Sequence, residues 1–136
     1  MENLRVVGCF VEYDGKFIIL HRRPDKSQGD TWGLPAGKVN KGESDVESII
    51  REVKEEIGYA AKENELEFLG QWVWPFPEKT LTFSTFRLKL REEIKVVHQP
   101  NEHLGYKWVT PKECYSMENV VHGLHDLLKK VGYIKN

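Results

Sequence analysis

The stretch GKVNKGESDVESIIREVKEEIGY, residues 37–59, contains the clearest helix signal of this chain. Ser44, followed three residues later by Glu47, forms a capping-box pattern, which predicts that a helix begins at this serine. Apolar residues then recur on one face, and Gly58 is typical of the left-handed residue that ends a helix. The stretch therefore predicts an amphipathic helix over residues 44–57 with a loop on each side.

Three glutamates, Glu52, Glu55 and Glu56, lie within little more than one turn of this helix. Like charges at this spacing destabilise a helix by about 0.2–0.5 kcal/mol per pair, so something is expected to offset them. One interpretation is a solvated acidic face beside Arg51 and Lys54. The other is a site for Mg²⁺ or Mn²⁺, because these hard cations prefer oxygen ligands.

The spacing of the neighbouring residues favours the metal site. The stretch resembles the signature of the Nudix hydrolases, G-x5-E-x7-R-E-U-x-E-E-x-G-U, where U is a bulky hydrophobic residue. The seven fixed residues of that signature are all present: Gly37, Glu43, Arg51, Glu52, Glu55, Glu56 and Gly58. Because each fixed residue type has a usage of roughly one in fifteen, chance agreement is on the order of 10⁻⁸ per starting point. Tyr59 stands where the family more often has an aliphatic residue, and Ala36 replaces the first glycine of a preceding W-x-L-P-G-G run.

The resemblance implies both a fold and a reaction class. The expected fold is of the α/β (α+β) class, a mixed β-sheet sandwiched between helices, with residues 37–59 as a loop–helix–loop. We expect residues 1–136 to form a single domain of this kind. The reaction implied is hydrolysis of a nucleoside diphosphate linked to a further group X.

The resemblance also implies roles for the fixed residues. The carboxylates of Glu52, Glu55 and Glu56 would hold Mg²⁺, or Mn²⁺ in its place, and the carbonyl of Gly37 is often a further ligand. Either Glu55 or Glu56 would also contact the attacking water, and the sequence does not separate the two roles. Glu43 and Arg51 are expected to brace the loop against the helix.

Residues outside this stretch add candidates for catalysis and phosphate binding. Family members often use an acidic residue from a late loop as base or extra ligand. Glu102, six residues before Trp108, is the candidate here, with Glu92 and Glu93 as alternatives and an ordinary exposed glutamate as the other interpretation. Two arginines that follow an expected strand, Arg22 and Arg23, either hold distal phosphates or are ordinary surface charge.

The identity of X stays open at this stage. The run WPFP, residues 74–77, resembles the core of a motif of NADH pyrophosphatases, whereas Pro75 fits the mark of ADP-ribose pyrophosphatases and the Glu102-His103 pair resembles diadenosine polyphosphate hydrolases. Trp74 and Phe76 would line a substrate pocket or fill the core. The sequence favours an adenine dinucleotide or a (deoxy)nucleoside triphosphate without choosing between them.

The remaining chain predicts strands and one further helix. An Asp-Gly pair at residues 14–15 predicts a hairpin, and residues 24–44 read as a long structured loop. Strands are expected in residues 66–74, 81–90 and 106–110, and a closing helix near residues 120–131.

Composition limits the classes of protein to consider. The 136 residues are 40% apolar and 30% charged, which is typical of a globular protein. No apolar run approaches the roughly 20 residues of a membrane helix, so we expect no membrane partner. No signal peptide is evident and the two cysteines are isolated, so we expect a cytoplasmic protein. The net charge of −1 disfavours nucleic acid as a partner.

Three functions are therefore weighed. The first is a Mg²⁺-dependent pyrophosphohydrolase with a small-molecule nucleotide substrate. The second is a Nudix-fold module that senses a nucleotide without hydrolysing it, against which the intact set of carboxylates argues. The third is an RNA 5′-end pyrophosphohydrolase, for which a local groove would have to replace a general positive charge. Dimers are common among relatives, so a homodimer is expected as one arrangement.

Overall fold

The computed structural model describes residues 2–75 and 77–135. In this part of the chain, seven strands and three α-helices follow one another. The strands are β1 (Glu2–Tyr13), β2 (Lys16–Arg22), β3 (Trp32–Gly33), β4 (Ala36–Lys38), β5 (Leu66–Pro75), β6 (Lys79–Lys89) and β7 (His103–Val109). The helices are α1 (Asp45–Ile57), α2 (Pro111–Ser116) and α3 (Leu124–Lys130), with a 3₁₀ helix at Glu63–Glu65.

The strands form one mixed sheet. Its main order is β3-β2-β1-β6-β5, while β4 pairs with β1 and β7 pairs with β2. The central β1–β6 pair is parallel, and the other pairs are antiparallel. Because β4 lies beside β1 at Val6–Gly8, it brings Gly37 to the middle of the sheet.

Each face of the sheet packs against a helical layer, as the sequence predicts. On one face, Ile49, Val53 and Ile57 of α1 are fully buried against the sheet. On the other face, Leu124, Leu127 and Leu128 of α3 pack with α2 on the sheet. The α+β sandwich is therefore confirmed, and its two cores lie on opposite sides of β1.

Helix α1 begins and ends where the sequence predicts. The Ser44 side chain accepts a hydrogen bond from the Glu47 backbone, and the Glu47 side chain accepts one from the Ser44 backbone. Gly58 adopts φ 78°, the left-handed conformation that glycine tolerates without strain, and its N–H bonds to the carbonyl of Lys54. These caps fix the residues at which the glutamate-bearing helix starts and stops.

Other elements differ from the sequence prediction. The closing helix begins at Leu124 rather than near residue 120, because Gly123 is left-handed and Val121 bonds to the backbone of Trp32. Helix α2 was not predicted, although Thr110 and Glu113 form a capping box in front of it. Strands β3 and β4 lie inside the predicted loop.

Within residues 2–75 and 77–135, no helix has the length and apolar character needed to cross a membrane. Cys9 and Cys114 are both buried free thiols.

Candidate active site

Gly37 of the loop packs closely against Glu52 of α1. A Cβ atom added at Gly37 would overlap the Glu52 carboxylate, and even the farther carboxylate oxygen would lie 2.5 Å from it. Glu52 is only 8% exposed, so its carboxylate has little room elsewhere. The absence of a side chain at residue 37 therefore creates the space in which this carboxylate lies.

Arg51 connects the loop to the glutamates of α1. Its Nε and Nη2 atoms donate to the two carboxylate oxygens of Glu43 at 2.8 and 3.0 Å. Its Nη1 atom donates to Glu52 at 2.7 Å and to Glu55 at 3.3 Å. Nη2 also donates to the Lys38 carbonyl at 3.0 Å. This fork of charge-assisted bonds holds the loop after β4 against the helix.

The glutamates differ in their proton affinity because their surroundings differ. Hydrogen bonds from Arg51 lower the pKa of Glu43 to about 2. Burial raises the pKa of Glu52, and the hydrogen bond from Arg51 opposes the rise. Burial also raises the pKa of Glu56 to about 8, although the Ala36 N–H donates to this carboxyl at 2.8 Å. Glu56 is thus a carboxyl that can hold a proton near neutral pH.

The donor atoms fit a hard divalent cation in their chemistry. Glu52, Glu55 and Glu56 offer carboxylate oxygens from successive turns of α1, and such oxygens are the ligands that Mg²⁺ and Mn²⁺ prefer. Among the described residues, however, no three acidic, histidine or cysteine side chains already stand in an arrangement that would hold an ion. In the structure the Arg51 Nη1 atom contacts the carboxylates of both Glu52 and Glu55.

A cavity of about 820 Å³ opens beside Gly37 and Glu56. Arg22 and Lys38 form a polar end near Gly37 and Glu56, and the rest of the lining is mostly apolar but includes Lys79. The lining of the apolar part comes from β1, β5, β6, α3 and the segment before α3: Leu4, Val6, Trp74, Leu81, Phe83, Val121, Leu124 and Leu127. The arrangement suits a ligand with an anionic part and a flat apolar part.

Two aromatic rings form a wall of this cavity. Trp74 and Phe83 meet edge to face, with ring centroids 5.8 Å apart and an interplanar angle of 79°. The Phe83 ring can lie across β1 only because Gly8 has no side chain, since a Cβ there would be 2.5 Å from the Phe83 Cζ atom. The predicted substrate contact at Phe76 lies outside the described residues.

The two arginines after β2 are placed differently. Arg22 lines the cavity, and its Nε atom donates to the Ser27 carbonyl at 2.8 Å. Arg23 is not among the cavity-lining residues; it donates to Asp25 at 3.2 Å and to the Pro100 carbonyl at 3.3 Å. The geometry thus brings Arg22 to the predicted site and turns Arg23 toward the loop before β7.

The late loop brings Glu102 near the site and His103 into it. Glu102 is half exposed, lies 3.7 Å from the Lys26 Nζ atom, and its charge adds to the rise in the pKa of Glu56. His103 is 4% exposed, lines the cavity, and has a buried Nδ1 atom without a hydrogen-bond partner among the described residues. Burial, followed by the charge of Arg22, lowers the pKa of His103 to about 4.

Sequence reasoning did not identify several of the cavity-lining polar residues. His103 follows Glu102 directly in the sequence, so the Glu-His pair is the sequence signal for it. Ser27, Gln28 and His122 also line the cavity, but they come from two loops that no sequence motif connects. Only the fold brings those loops together.

Comparisons with known proteins identify the family of this chain. The sequence model of the NUDIX domain matches residues 2–131. The CTP pyrophosphohydrolase of Escherichia coli (strain K12) is 34% identical over 124 residues, which cover 84% of this chain and 81% of that protein. The RNA pyrophosphohydrolase of a Nitratiruptor species is 36% identical over 99 residues, 63% of each chain.

The fold also has a close counterpart among solved structures. The MutT protein from Methanosarcina mazei Go1 superimposes with a TM-score of 0.79 at 26% identity, over 96% of this chain and 93% of that one. The matched domain covers nearly the whole chain and includes the glutamate helix, the Gly37 loop and the cavity beside them. This chain therefore belongs to the Nudix hydrolase family and is a Nudix pyrophosphohydrolase.

Proposed function

We propose that the chain hydrolyses a pyrophosphate bond in a nucleoside diphosphate derivative, with Mg²⁺ as its ion and Mn²⁺ as a substitute. The observation that carries this proposal is the position of Glu56 beside Gly37 at the polar end of the cavity. A buried carboxyl with a raised pKa at that place favours a bound cation, because a cation restores the charged form that burial disfavours.

The metal ligands in this proposal are the Gly37 carbonyl and the carboxylates of Glu52, Glu55 and Glu56. A bound divalent ion would neutralise phosphate oxygens and acidify a water molecule. Arg51 and Glu43 keep the loop and helix in register, so that ligands from both segments stay near one another. This bracing function does not require either residue to contact substrate.

Proton transfer is assigned to the carboxyls nearest the cavity. Glu56 or Glu55 would contact the attacking water, and Glu102 would act as base from the late loop. The position of Glu102 before β7, close enough for its charge to act on Glu56, supports this assignment.

The cavity suggests how a nucleotide would lie. Arg22 is placed to hold phosphate oxygens, since its guanidinium is fixed by Ser27 at the polar end. Trp74 and Phe83 offer a wall for the base at the other end, and the same role is proposed for Phe76. We favour a (deoxy)nucleoside triphosphate as the substrate, because a relative at 34% identity is named a CTP pyrophosphohydrolase.

The alternative functions keep specific support. A dinucleotide or an ADP-ribose derivative fits the same arrangement of anionic and apolar ends. RNA 5′ ends are a second candidate, because another relative is named an RNA pyrophosphohydrolase. A nucleotide-sensing module without hydrolysis is the third. A single domain over residues 1–136, a cytoplasmic location and a homodimer stay predictions.

The test is a substrate panel. Release of phosphate or pyrophosphate would be measured with CTP, dCTP, the other (deoxy)nucleoside triphosphates, NADH, ADP-ribose, diadenosine tetraphosphate and a 5′-triphosphorylated RNA, in Mg²⁺ and in chelator. Turnover that requires both the metal and Glu56, as judged with Glu56→Gln, supports the proposal. A folded protein that binds nucleotide but hydrolyses none of the panel would favour the sensing module.

A further inference from the structure

The loop between β2 and β3 is a closed, compact structure. At its base, the Arg22 N–H donates to the Thr31 carbonyl at 2.8 Å and the Asp30 N–H donates to the Arg22 carbonyl at 3.0 Å. At its centre, a Cβ on Gly29 would lie 2.7 Å from the carbonyl carbon of Pro24. The loop therefore closes on itself, and a side chain that it presents is held in place.

Gln28 is held both by this loop and by the segment before α3. Its backbone is in the left-handed region at φ 51°, which is uncommon for a residue with a side chain. Its carbonyl accepts from the Thr31 hydroxyl at 2.5 Å. Its side-chain Oε1 accepts the backbone N–H of His122 at 2.6 Å, which joins the loop to the segment before α3.

The bond to His122 fixes the orientation of the carboxamide. A backbone N–H can only donate, so the oxygen of the Gln28 side chain must face it and the Nε2 atom must face elsewhere. That Nε2 atom makes no hydrogen bond to the described residues. The Gln28 carboxamide thus has two N–H donors directed away from His122, while its oxygen is bonded to the His122 N–H.

Gln28 lies between the two ends of the cavity. On one side its neighbour Ser27 contacts Arg22 at the polar end. On the other side His122 precedes Gly123, where a Cβ would lie 3.8 Å from the Trp74 ring. A nucleotide that spans the cavity from phosphate to base would pass beside this donor group.

We infer that Gln28 is a specificity-determining residue, whose carboxamide donates a hydrogen bond to an acceptor on the nucleoside part of the substrate. This inference rests on the proposed function for the orientation of the ligand. It selects for a carbonyl, ring nitrogen or hydroxyl oxygen at the middle of the cavity, and against a ligand that places a donor there.

The test uses binding, so that it does not depend on turnover. Dissociation constants for CMP, AMP, ribose 5-phosphate and inorganic pyrophosphate would be measured in Mg²⁺ by calorimetry, with wild type, Gln28→Met and Gln28→Glu. Methionine keeps the length and removes the amide. Glutamate keeps an oxygen for the His122 N–H but removes the donors, so it separates substrate contact from support of the loop.

We expect Gln28→Met to raise the dissociation constant of at least one nucleoside monophosphate by about three- to tenfold, which is the value of one hydrogen bond. The dissociation constant of pyrophosphate should stay unchanged. For Gln28→Glu we expect the ratio of nucleotide to pyrophosphate dissociation constants to rise. Added charge cannot cause that rise, because it repels the more highly charged pyrophosphate more strongly. If Gln28→Met weakens the binding of ribose 5-phosphate by the same factor, the acceptor lies on the sugar. If the binding of ribose 5-phosphate is unchanged, the acceptor lies on the base.

The inference is overturned if both variants bind all nucleoside monophosphates within twofold of wild type. It is also overturned if Gln28→Met weakens the binding of nucleotides and of pyrophosphate equally, while Gln28→Glu binds both as wild type does. That result would assign Gln28 to support of the loop alone. Failure of the proposed function would give a different result. The wild-type protein would then hydrolyse no substrate of the panel, whatever dissociation constants the Gln28 variants show.

Discussion

Replacing Gly37 by alanine tests the packing between the loop and α1. The new methyl group would overlap the Glu52 carboxylate, which is the far end of a side chain and can in principle swing aside. It cannot do so freely, because Glu52 is 8% exposed and bonded to Arg51 at 2.7 Å. We expect the free energy of unfolding to fall by about 1.5–3 kcal/mol, the value of a hydrogen bond to a charged group.

The assay is urea unfolding in the absence of metal, followed by tryptophan fluorescence. A lower midpoint at an unchanged m-value reports lost stability rather than a changed denatured state. Gly105→Ala in β7 is the matched control, because a Cβ there meets no atom within 4 Å, and we expect a change of no more than about 0.5 kcal/mol. Equal effects of the two substitutions would refute the reasoning.

Three further predictions concern charge and catalysis. In metal-free protein, stability should fall as pH rises from about 6.5 to about 8, because burial raises the pKa of Glu56 to about 8 and the folded chain holds that proton longer than the unfolded chain. Below about pH 6.5 the lowered pKa of His103 acts in the opposite direction. Glu56→Gln should flatten the slope between about pH 6.5 and 8 in pH-dependent unfolding, and an unaltered slope would contradict the assignment. Arg51→Lys should lower the free energy of unfolding by about 1.5–3 kcal/mol, because an ammonium cannot reproduce the fork, and a thermal unfolding midpoint equal to that of wild type would show that the fork is dispensable. Glu102→Gln should lower kcat by about 10²–10⁴-fold with little change in KM, as steady-state kinetics would show, whereas an unchanged kcat would direct attention to Glu92 or Glu93.

The parts of the fold that the sequence predicted are those with local causes. Helix α1 was placed correctly because its caps, Ser44 and Gly58, act through bonds to residues a few positions away. The start of the closing helix was placed too early because Val120 and Val121 follow the helical apolar pattern but are held by Trp32, a partner distant in sequence. Strands of two or three residues such as β3 and β4 are too short to show a period.

The site shows the same division. The spacing of Glu52 and Glu56 on one helix is local, and the family resemblance therefore makes both of them candidates from the sequence alone. The contact between Gln28 and His122 depends on two loops that meet only in the folded chain, so no periodicity or motif indicates it. Arg23 follows β2 next to Arg22, yet its guanidinium points toward Pro100, because neighbouring residues at the end of a strand face different surroundings.

The close approach of Phe83 to Gly8 has a consequence for how enzymes of this shape diverge. A single methyl group at residue 8 would overlap the Phe83 ring, which lines the cavity, so the ring would have to move and the shape of the cavity would change. None of the proposed metal ligands would be touched by that change. A substitution at this one residue can therefore change the shape of the binding site without changing the proposed metal ligands. The range of substrates can change in evolution while those residues stay the same.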